Sequence, residues 1–323
     1  MGKTAIGWTD ETWNPVRGCS RVSEGCRHCY AEEQAARIVR MGKGKPTAYD
    51  GLVSVRSMVS GLRYTSVNAA GSYDEPRWTG VVRLVPERLA DPLRWRAPRR
   101  VFVNSMSDLF HESLANEQIA AVFGVMAAAP QHTFQVLTKR ARRMREWFEW
   151  VAGYGRAVCL VEAESHGMRM PDDLAWPLPN VWLGVSVENQ DAADERIPLL
   201  LDTPAVVRFI SAEPLLGSIN LTLHGSRVAD WDEDLKYDVL RGLTWTSPRE
   251  WAEETPPARG KEPRVDWVID GCESGGVARP AQREWFASLE AQCRAAGVAY
   301  FHKQEVVDGR LVHDFPGRQE FPR

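Results

Sequence analysis

Three of the six cysteines lie close together near the start of the sequence, in the stretch WNPVRGCSRVSEGCRHCYAE. Cys19, Cys26 and Cys29 have the spacing C-x6-C-x2-C. Thiols gathered this tightly, in a loop that also carries glycine and arginine, are more typical of metal ligation than of core packing. A structural zinc site closes a tetrahedron of four ligands, so it would need a fourth ligand from a distant cysteine or histidine.

A cluster of four irons and four sulfides held by three thiolates would explain the number three. One iron then has no protein ligand and offers a coordination position to a substrate or cofactor. Arg17, Arg21 and Arg27 in the same stretch favour an anionic, thiolate-ligated cluster. Core thiols, a zinc site and the cluster all stay open at this point, and the cluster accounts best for three ligands.

The composition excludes several classes of protein. The 323 residues are 44% hydrophobic and 26% charged, which is typical of a globular chain with a full core. We find no apolar run long enough to span a membrane and no secretory signal at the start, so we expect a cytoplasmic protein whose thiols stay reduced. The net charge of −3 gives no overall attraction to nucleic acid.

Two local stretches are basic, RWRAPRR (Arg94 to Arg100) and KRARRMR (Lys139 to Arg145). Each is compatible with a solvated basic face or with a strip that contacts phosphates. They are the candidate contacts for a nucleic-acid partner.

Six short apolar runs are each followed by polar side chains, and helical patterns such as NEQIAAVFGVMAAAP lie between them. This alternation predicts βα units and one parallel sheet, with functional groups at the carboxyl ends of the strands. We predict a single α/β domain over residues 1–323, with surface insertions at about 43–75, 162–179 and 224–263. The last insertion is a candidate lid with short helices.

The cysteine loop resembles that of the radical S-adenosylmethionine superfamily, which usually has C-x3-C-x-aromatic-C after the first strand. The first gap is longer here, and His28 stands at the usual aromatic position. The resemblance implies a full or partial (β/α) barrel, a [4Fe-4S] cluster bound by Cys19, Cys26 and Cys29, and S-adenosylmethionine that is cleaved to a 5′-deoxyadenosyl radical. An electron donor is then required.

Nearly the whole chain is similar to an uncharacterised phage family known as Gp thirty-seven/Gp sixty-eight, which is described as radical-SAM-like. The similarity lies in the combination of the motifs WTDETWNPVRGCSRVSEGCRHCYAE, FVNSMSDLFHE, FQVLTKR, VWLGVSVEN, RFISAEPLLG, GCESGGVARP and FHKQ. Members of that family usually have glycine at the position of Cys272. The phage association points to DNA base repair or modification.

The superfamily resemblance also suggests which residues hold the cofactor. Polar residues after the second strand hold the methionine amino group there, and strand ends in the middle of the barrel hold the carboxylate and ribose. By position, the cofactor-binding candidates here are Tyr30, Asn104, Ser105, Ser107, Asp108, Lys139, Ser186, Glu188 and Asn189. Two of these have simpler alternatives, since Asp108 could cap the following helix and Glu188 could be a surface charge.

Three further residues are catalytic candidates. Glu213 precedes Pro214 at a predicted strand end, and Glu273 lies in a glycine-rich loop. Cys272 could donate hydrogen to a substrate radical or simply be a packed residue. The leading hypothesis is thus a radical S-adenosylmethionine enzyme acting on nucleic acid, and the alternative is a non-catalytic, phage-related binding protein stapled by zinc or an iron–sulfur cluster.

Overall fold

The computed structural model describes residues 4–43, 45–54, 76–154, 157–167, 175–225, 232–245, 263–274, 278–308 and 310–322. These residues form fifteen strands and seven α-helices. The strands are β1 (Glu11–Trp13), β2 (Val16–Arg17), β3 (Val53–Ser54), β4 (Arg77–Trp78), β5 (Arg83–Leu84), β6 (Arg100–Val103), β7 (Thr133–Thr138), β8 (Val181–Ser186), β9 (Val207–Ala212), β10 (Thr222–His224), β11 (Lys236–Asp238), β12 (Leu243–Trp245), β13 (Trp267–Gly271), β14 (Ala299–Val307) and β15 (Arg310–Val312). The helices are α1 (Tyr30–Met41), α2 (Pro86–Leu89), α3 (Asn116–Ala128), α4 (Ala141–Tyr154), α5 (Ala157–Ser165), α6 (Gln190–Leu201) and α7 (Arg283–Ala296).

The main sheet has eight strands in the order β1-β6-β7-β8-β9-β13-β14-β15. The seven strands from β1 to β14 pair in parallel, and only β15 at one edge is antiparallel. The predicted mixed α/β architecture with one large, mostly parallel sheet is therefore confirmed.

The helices that join the strands are long and largely buried on the sheet. Helix α3 is buried from Ile119 to Ala127, and α5 packs so tightly on it that a Cβ at Gly124 would lie 2.3 Å from the Cys159 carbonyl oxygen. Helix α7 ends, as its pattern predicts, at Gly297, whose φ of 65° suits glycine. None of the described helices is long and apolar enough to cross a membrane.

One face of the sheet carries an aromatic cluster that draws on most of its strands. Phe102 of β6, Phe209 of β9, Trp267 of β13 and Phe301 of β14 are buried there together with Trp8, which precedes β1. Trp267 lies at the centre, with ring centroids 6.3 Å from Trp8, 5.6 Å from Phe209 and 6.2 Å from Phe301. Residues from the β1–β6 side and from the β9–β14 side of the sheet thus pack around the same tryptophan, Trp267.

The predicted insertions lie partly outside the described residues. Of residues 43–75, only 43, 45–54 are described, and they contain β3, which pairs with β4. Residues 168–174 of the second insertion and 226–231 and 246–262 of the third are not described. The described part of 224–263 contains β11 and β12, which form a small antiparallel sheet with β10, where the sequence suggested short helices.

Candidate functional site

The carboxyl ends of the parallel strands open onto a cavity of about 710 Å³. Apolar residues form the floor of the cavity and polar residues its rim. This arrangement follows from strand geometry, because residues i and i+2 point to the same face of the sheet. Phe102 of β6 and Leu137 of β7 line the cavity together with Asn104 and Lys139, each of which directly follows its strand. The side chains above the aromatic cluster are therefore polar, and the cavity combines an apolar floor with a polar rim.

The cavity brings together thirteen of the fifteen residues that the sequence suggested as site residues. They are Cys19, Cys26, Cys29, Tyr30, Asn104, Ser105, Ser107, Asp108, Lys139, Ser186, Glu213, Cys272 and Glu273. The other two, Glu188 and Asn189, do not line it. Asn189 caps α6 by accepting a hydrogen bond of 3.0 Å from the Ala192 backbone N–H.

The three thiols of the cysteine loop, residues 18–29, face the cavity together and are close enough to affect each other's ionisation. Burial, the nearby Asp108 carboxylate and the other two thiols raise the pKa of Cys19 to about 12. The Cys19 thiol is thus protonated at neutral pH unless a cation compensates its charge. Across the described residues, no group of three or more His, Cys, Asp and Glu side chains is already arranged to hold a metal ion.

Arg140, which follows β7, holds the start of this loop. Its guanidinium donates to the Ser20 carbonyl at 3.1 Å and the Ser20 hydroxyl at 2.8 Å, and lies 3.8 Å from the Cys19 sulfur. It also pairs with Asp108 at 3.3 Å and with Glu112 at 2.9 Å. Because all sides of the guanidinium have partners and the residue is buried, Arg140 is a structural anchor of the loop.

Asp108 is equally occupied, which bears on its predicted role. One carboxylate oxygen accepts from the Thr138 hydroxyl at 2.7 Å and the Phe110 N–H at 3.0 Å. The other accepts from the Lys139 N–H at 3.1 Å. Asp108 therefore joins the ends of β6 and β7, and α3 begins too far along the chain for Asp108 to cap it.

Glu188 supports the middle of the cysteine loop from behind. It forms a buried ion pair with Arg196 of α6 at 2.8 Å, and a Cβ at Gly25 would lie 3.0 Å from its carboxyl carbon. Although burial favours the neutral acid, the charges of Arg196 and Lys139 hold the pKa of Glu188 below its usual range. Gly25 is thus the residue that permits this close approach between loop and carboxylate.

Glu273 and Arg279 form a third support. Arg279 donates to Glu273 at 2.6 Å and to the Glu24 carbonyl oxygen at 2.9 Å, which ties the loop after β13 to the cysteine loop. Burial opposes ionisation of Glu273, but the hydrogen bonds and charge of Arg279 outweigh it and lower the pKa of the carboxyl. A fourth pair, Arg21 with the buried Glu32 of α1, braces the loop internally.

The polar residues after β6 differ in how many of their hydrogen-bonding groups are still unpaired. The Ser107 hydroxyl donates to the Val16 carbonyl at 2.9 Å, and Ser105 exchanges hydrogen bonds with Asn14 and accepts one from the Tyr30 hydroxyl. Asn104 has a φ of 62°, and its side-chain Nδ2 is buried without a hydrogen-bond partner. An unsatisfied buried donor next to a cavity is a candidate contact for a ligand.

Lys139 lines the same rim as Asn104 and, like it, has a donor group that is unpaired among the described residues, here a charged ammonium. Its ammonium has no hydrogen bond or ion pair at contact distance within the described part of the chain, whereas its neighbour Arg140 is fully engaged. Glu188 is near enough for its pKa to be lowered by Lys139, but it is already paired with Arg196. Lys139 is therefore available to an anionic ligand group.

The opposite side of the cavity, which we call the far wall, consists of Glu213, Cys272, Lys303 and Gln304. The Lys303 ammonium forms an ion pair with Glu213, and the Gln304 side-chain amide donates to the Cys272 carbonyl oxygen at 2.7 Å. Burial, with the charge of Glu213 next in importance, raises the pKa of Cys272 to about 11. The thiol is thus neutral at physiological pH.

The far wall includes one departure from the predicted pattern. In the sequence the last apolar run, VAYF, is followed by the polar residues His302 to Gln304, which predicts a strand end there. The structure differs, since β14 continues to Val307 and also pairs with β15. Asp270 pairs with His302 and Gly271 with Gln304, so Lys303 is the extra residue of a β-bulge. The bulge brings Lys303 and Gln304, which are consecutive, onto the cavity wall.

The two basic stretches lie apart from each other and are neutralised to different degrees. In the first, Arg94, Arg99 and Arg100 pair with Asp91, Glu11 and Asp10, and Arg100 begins β6 at the end of the sheet away from the cavity. In the second, Arg140 is buried in the site and Arg145 pairs with Glu149 and Asp202. Among the described residues, no ion pair is found for Arg96 of the first stretch or for Arg142 of the second. Lys139 and Arg140 both line the cavity.

Three supporting residues of the site had no signal in the sequence strong enough to single them out: Asn14, Ser20 and Arg279. Each has a partner remote in sequence, such as Glu24 for Arg279. Arg196 could have been found from helix spacing, since it follows Glu188 by eight residues across the first turns of α6.

The fold and the cavity define an α/β protein with a thiol-lined site at the carboxyl ends of a parallel sheet. Over residues 3–311 the sequence matches the family model described as Protein of unknown function (DUF5131), and the chain belongs to this family. No curated protein and no solved structure matches it.

Proposed function

We propose that the protein is a radical S-adenosylmethionine enzyme that binds a [4Fe-4S] cluster through Cys19, Cys26 and Cys29. The observation that carries this proposal is the meeting of three thiols with polar strand-end residues in one cavity. Three thiols far from any substrate pocket would serve a structural metal equally well. Placed at the rim of a cavity of this volume, they favour a metal centre that meets a small molecule.

The donor set suits the cluster chemically. Three thiolates add negative charge to a buried site, and Arg140 lies 3.8 Å from the Cys19 sulfur to compensate part of it. The supports at Arg140, Glu188 and Arg279 hold the loop, so its thiols stay beside the cavity. Such outer contacts are what orients metal ligands in general.

Two residues with unused binding capacity are available for the cofactor. The Lys139 ammonium would pair with the carboxylate of S-adenosylmethionine, and the Asn104 side-chain amide would hydrogen-bond the same methionine moiety. Asp108 and Glu188 are committed to Arg140 and Arg196, and they act by holding the walls. When bound, cluster and cofactor would supply one-electron reduction and hydrogen-atom abstraction.

The sheet is best described, under this proposal, as a partial (β/α) barrel. The support is the aromatic cluster, in which Trp8 at the first strand and Phe301 at the last parallel strand both contact Trp267. A Cβ at Gly7 would lie 3.4 Å from the Phe301 ring, so the two ends of the parallel array approach each other. Side chains of such a barrel fill its interior and leave the upper end for the site.

The substrate stays a prediction at the level of a nucleic-acid base, with repair or modification as the reaction. An external electron donor is part of the same proposal. Of the two basic stretches, Arg96 and Arg142 have no ion pair among the described residues and remain candidate phosphate contacts, in addition to contacts from the cavity itself.

The proposal is tested by incubating anaerobically purified protein with S-adenosylmethionine and dithionite and measuring 5′-deoxyadenosine. Release of this product is expected from the natural chain and from Cys159→Ala, and its loss from Cys26→Ala. Lys139→Met should weaken binding of S-adenosylmethionine by about 10-fold or more, the value of a charged hydrogen bond. Binding without product, or product from Cys26→Ala, would refute the assignment.

The alternative, a non-catalytic binding protein stapled by zinc, makes a different prediction for the same sample. It expects one tightly held zinc ion per chain and no sulfide, with Cys26→Ala destabilising the fold. The cavity and the unsatisfied Asn104 amide would then have no assigned role.

A further inference from the structure

The far wall contains an ion pair whose surroundings suggest recognition of a ligand. Lys303 and Glu213 are in direct contact, with 16% and 19% of their side chains exposed, and both line the cavity. An ammonium has three donors and a carboxylate two acceptor oxygens, so a single ion pair leaves hydrogen-bonding capacity on both partners. Within the described residues, no other hydrogen bond to the Lys303 ammonium or the Glu213 carboxylate is found.

Lys303 is held in place from both sides of the bulge. Before it, the His302 ring bonds to the buried Asp270 carboxylate at 2.6 Å, and Asp270 also accepts from the Tyr300 hydroxyl at 2.6 Å. After it, Gln304 bonds to Cys272 through both its backbone and its side chain. These contacts on both sides fix the backbone of Lys303 at the bulge, so its side chain has a defined position on the cavity wall.

The charge state of the pair limits what can bind there. A charged ligand would draw one partner away and leave the other uncompensated in a largely buried wall, which is costly. A neutral ligand that accepts from Lys303 and donates to Glu213 leaves the pair intact. The ligand must therefore present an acceptor and a donor next to each other.

The contact between the two side chains also sets the geometry of the ligand. A trans peptide points its C=O and N–H in opposite directions, so one peptide group cannot meet both members of a contact pair. A cyclic cis-amide, as in a lactam or imide ring, presents C=O and N–H along the same edge. Such an edge occurs in uracil, thymine and guanine bases.

We infer that Glu213 and Lys303 form a subsite for the lactam or imide edge of a nucleobase, with the ring C=O accepting from Lys303 and the ring N–H donating to Glu213. This rests on the proposed function only where it takes the bound base to be the substrate. The binding itself requires neither cluster nor cofactor. Gln304 and Cys272 complete the wall beside it.

The test compares uridine with 3-methyluridine, in which the ring N–H is replaced by a methyl group. Ligand-observed NMR titrations of the full chain, without added cofactor, should show that uridine binds at least about 10-fold more tightly. In Glu213→Gln/Lys303→Met, which leaves no unpaired charge in the wall, this preference should fall to about 1-fold. Lys236→Met, in the small antiparallel sheet, should keep it.

Equal binding of the two nucleosides, binding of neither, or a preference that survives in the double variant would each overturn the subsite. Binding of N-acetylglutamine amide in place of uridine would overturn it too, since the recognised edge would then belong to a protein side chain. Iron and sulfide content, measured on the same preparation, reports on the proposed function separately. A protein that has no cluster but still prefers uridine to 3-methyluridine would support the subsite and refute the proposed enzymatic function.

Discussion

Charged residues line both sides of the cavity, but they have different roles on the two sides. On the cysteine-loop side, Arg140 and Arg279 use their guanidinium groups to fix backbone and carboxylates. On the far wall, Lys303 and Glu213 contact each other and keep further donors and acceptors for a ligand. The same residue types thus position one wall and leave the other able to bind. The difference lies in how many hydrogen-bond partners each charged group already has.

The largest effect should come from breaking the Arg140 anchor. Arg140→Met leaves the buried Asp108 carboxylate without its cation, and we expect a loss of about 3–5 kcal/mol in the free energy of unfolding. Urea denaturation of the natural chain and the variant measures it. Arg145→Met, which removes an exposed pair with Glu149, should change the value by no more than about 1 kcal/mol. Similar losses in both would show that Arg140 is not an anchor.

The Arg279 support should be sensitive to acid. The pKa of Glu273 is lowered in the folded protein from the ordinary value of 4.5, so its ion pair stabilises the fold above that pH and is lost as the pH falls through the folded pKa. Glu273→Gln should lower stability by about 1.5–3 kcal/mol at neutral pH. The difference between the two proteins should shrink below pH 4.5, and a gap of constant size down to strong acid would contradict the ion pair.

Gly25 tests how closely the loop rests on Glu188. Gly25→Ala places a methyl group 3.0 Å from the Glu188 carboxyl carbon, and we expect a loss of about 1–3 kcal/mol in unfolding free energy because neither neighbour can move freely. The matched control is Gly153→Ala near the end of α4, where nothing lies within 4 Å of the new Cβ. That change should be neutral or stabilising by up to about 1 kcal/mol. Thermal and urea unfolding separate the two.

The smallest effect on stability is expected at the far wall. Glu213→Gln/Lys303→Met removes both charges together, so no buried charge is left alone and the free energy of unfolding should change by less than about 1 kcal/mol. The single variant Lys303→Met should be less stable than the double one. A double variant as damaged as Arg140→Met would mean that this pair, too, is a structural support.

The sequence was a good guide to the residues that share a strand with the core. Asn104 follows Phe102 by two positions and Lys139 follows Leu137, so the alternation that buries one residue places the other on the rim. The three cysteines, which were singled out by their spacing, line the same cavity. Parallel pairing of the strands followed from the alternation of strand and helix patterns.

The other features of the site depend on tertiary contacts, which local sequence patterns do not predict. The β-bulge at Lys303 shifts the two-residue period, so no alternation rule places Lys303 and Gln304 on the same wall. Glu188 follows its strand like the other rim residues, yet Arg196 of α6 draws it behind the loop. Ion pairs between segments distant in sequence, such as Arg279 with Glu24, are decided by tertiary packing.

The most direct test of the account is the iron and acid-labile sulfide content of protein purified without exposure to air. We predict about four of each per chain, with loss of both in Cys19→Ala, Cys26→Ala and Cys29→Ala and retention in Cys159→Ala. Stoichiometric zinc without sulfide, or a cluster that survives all three substitutions, would contradict the assignment of the cysteine loop.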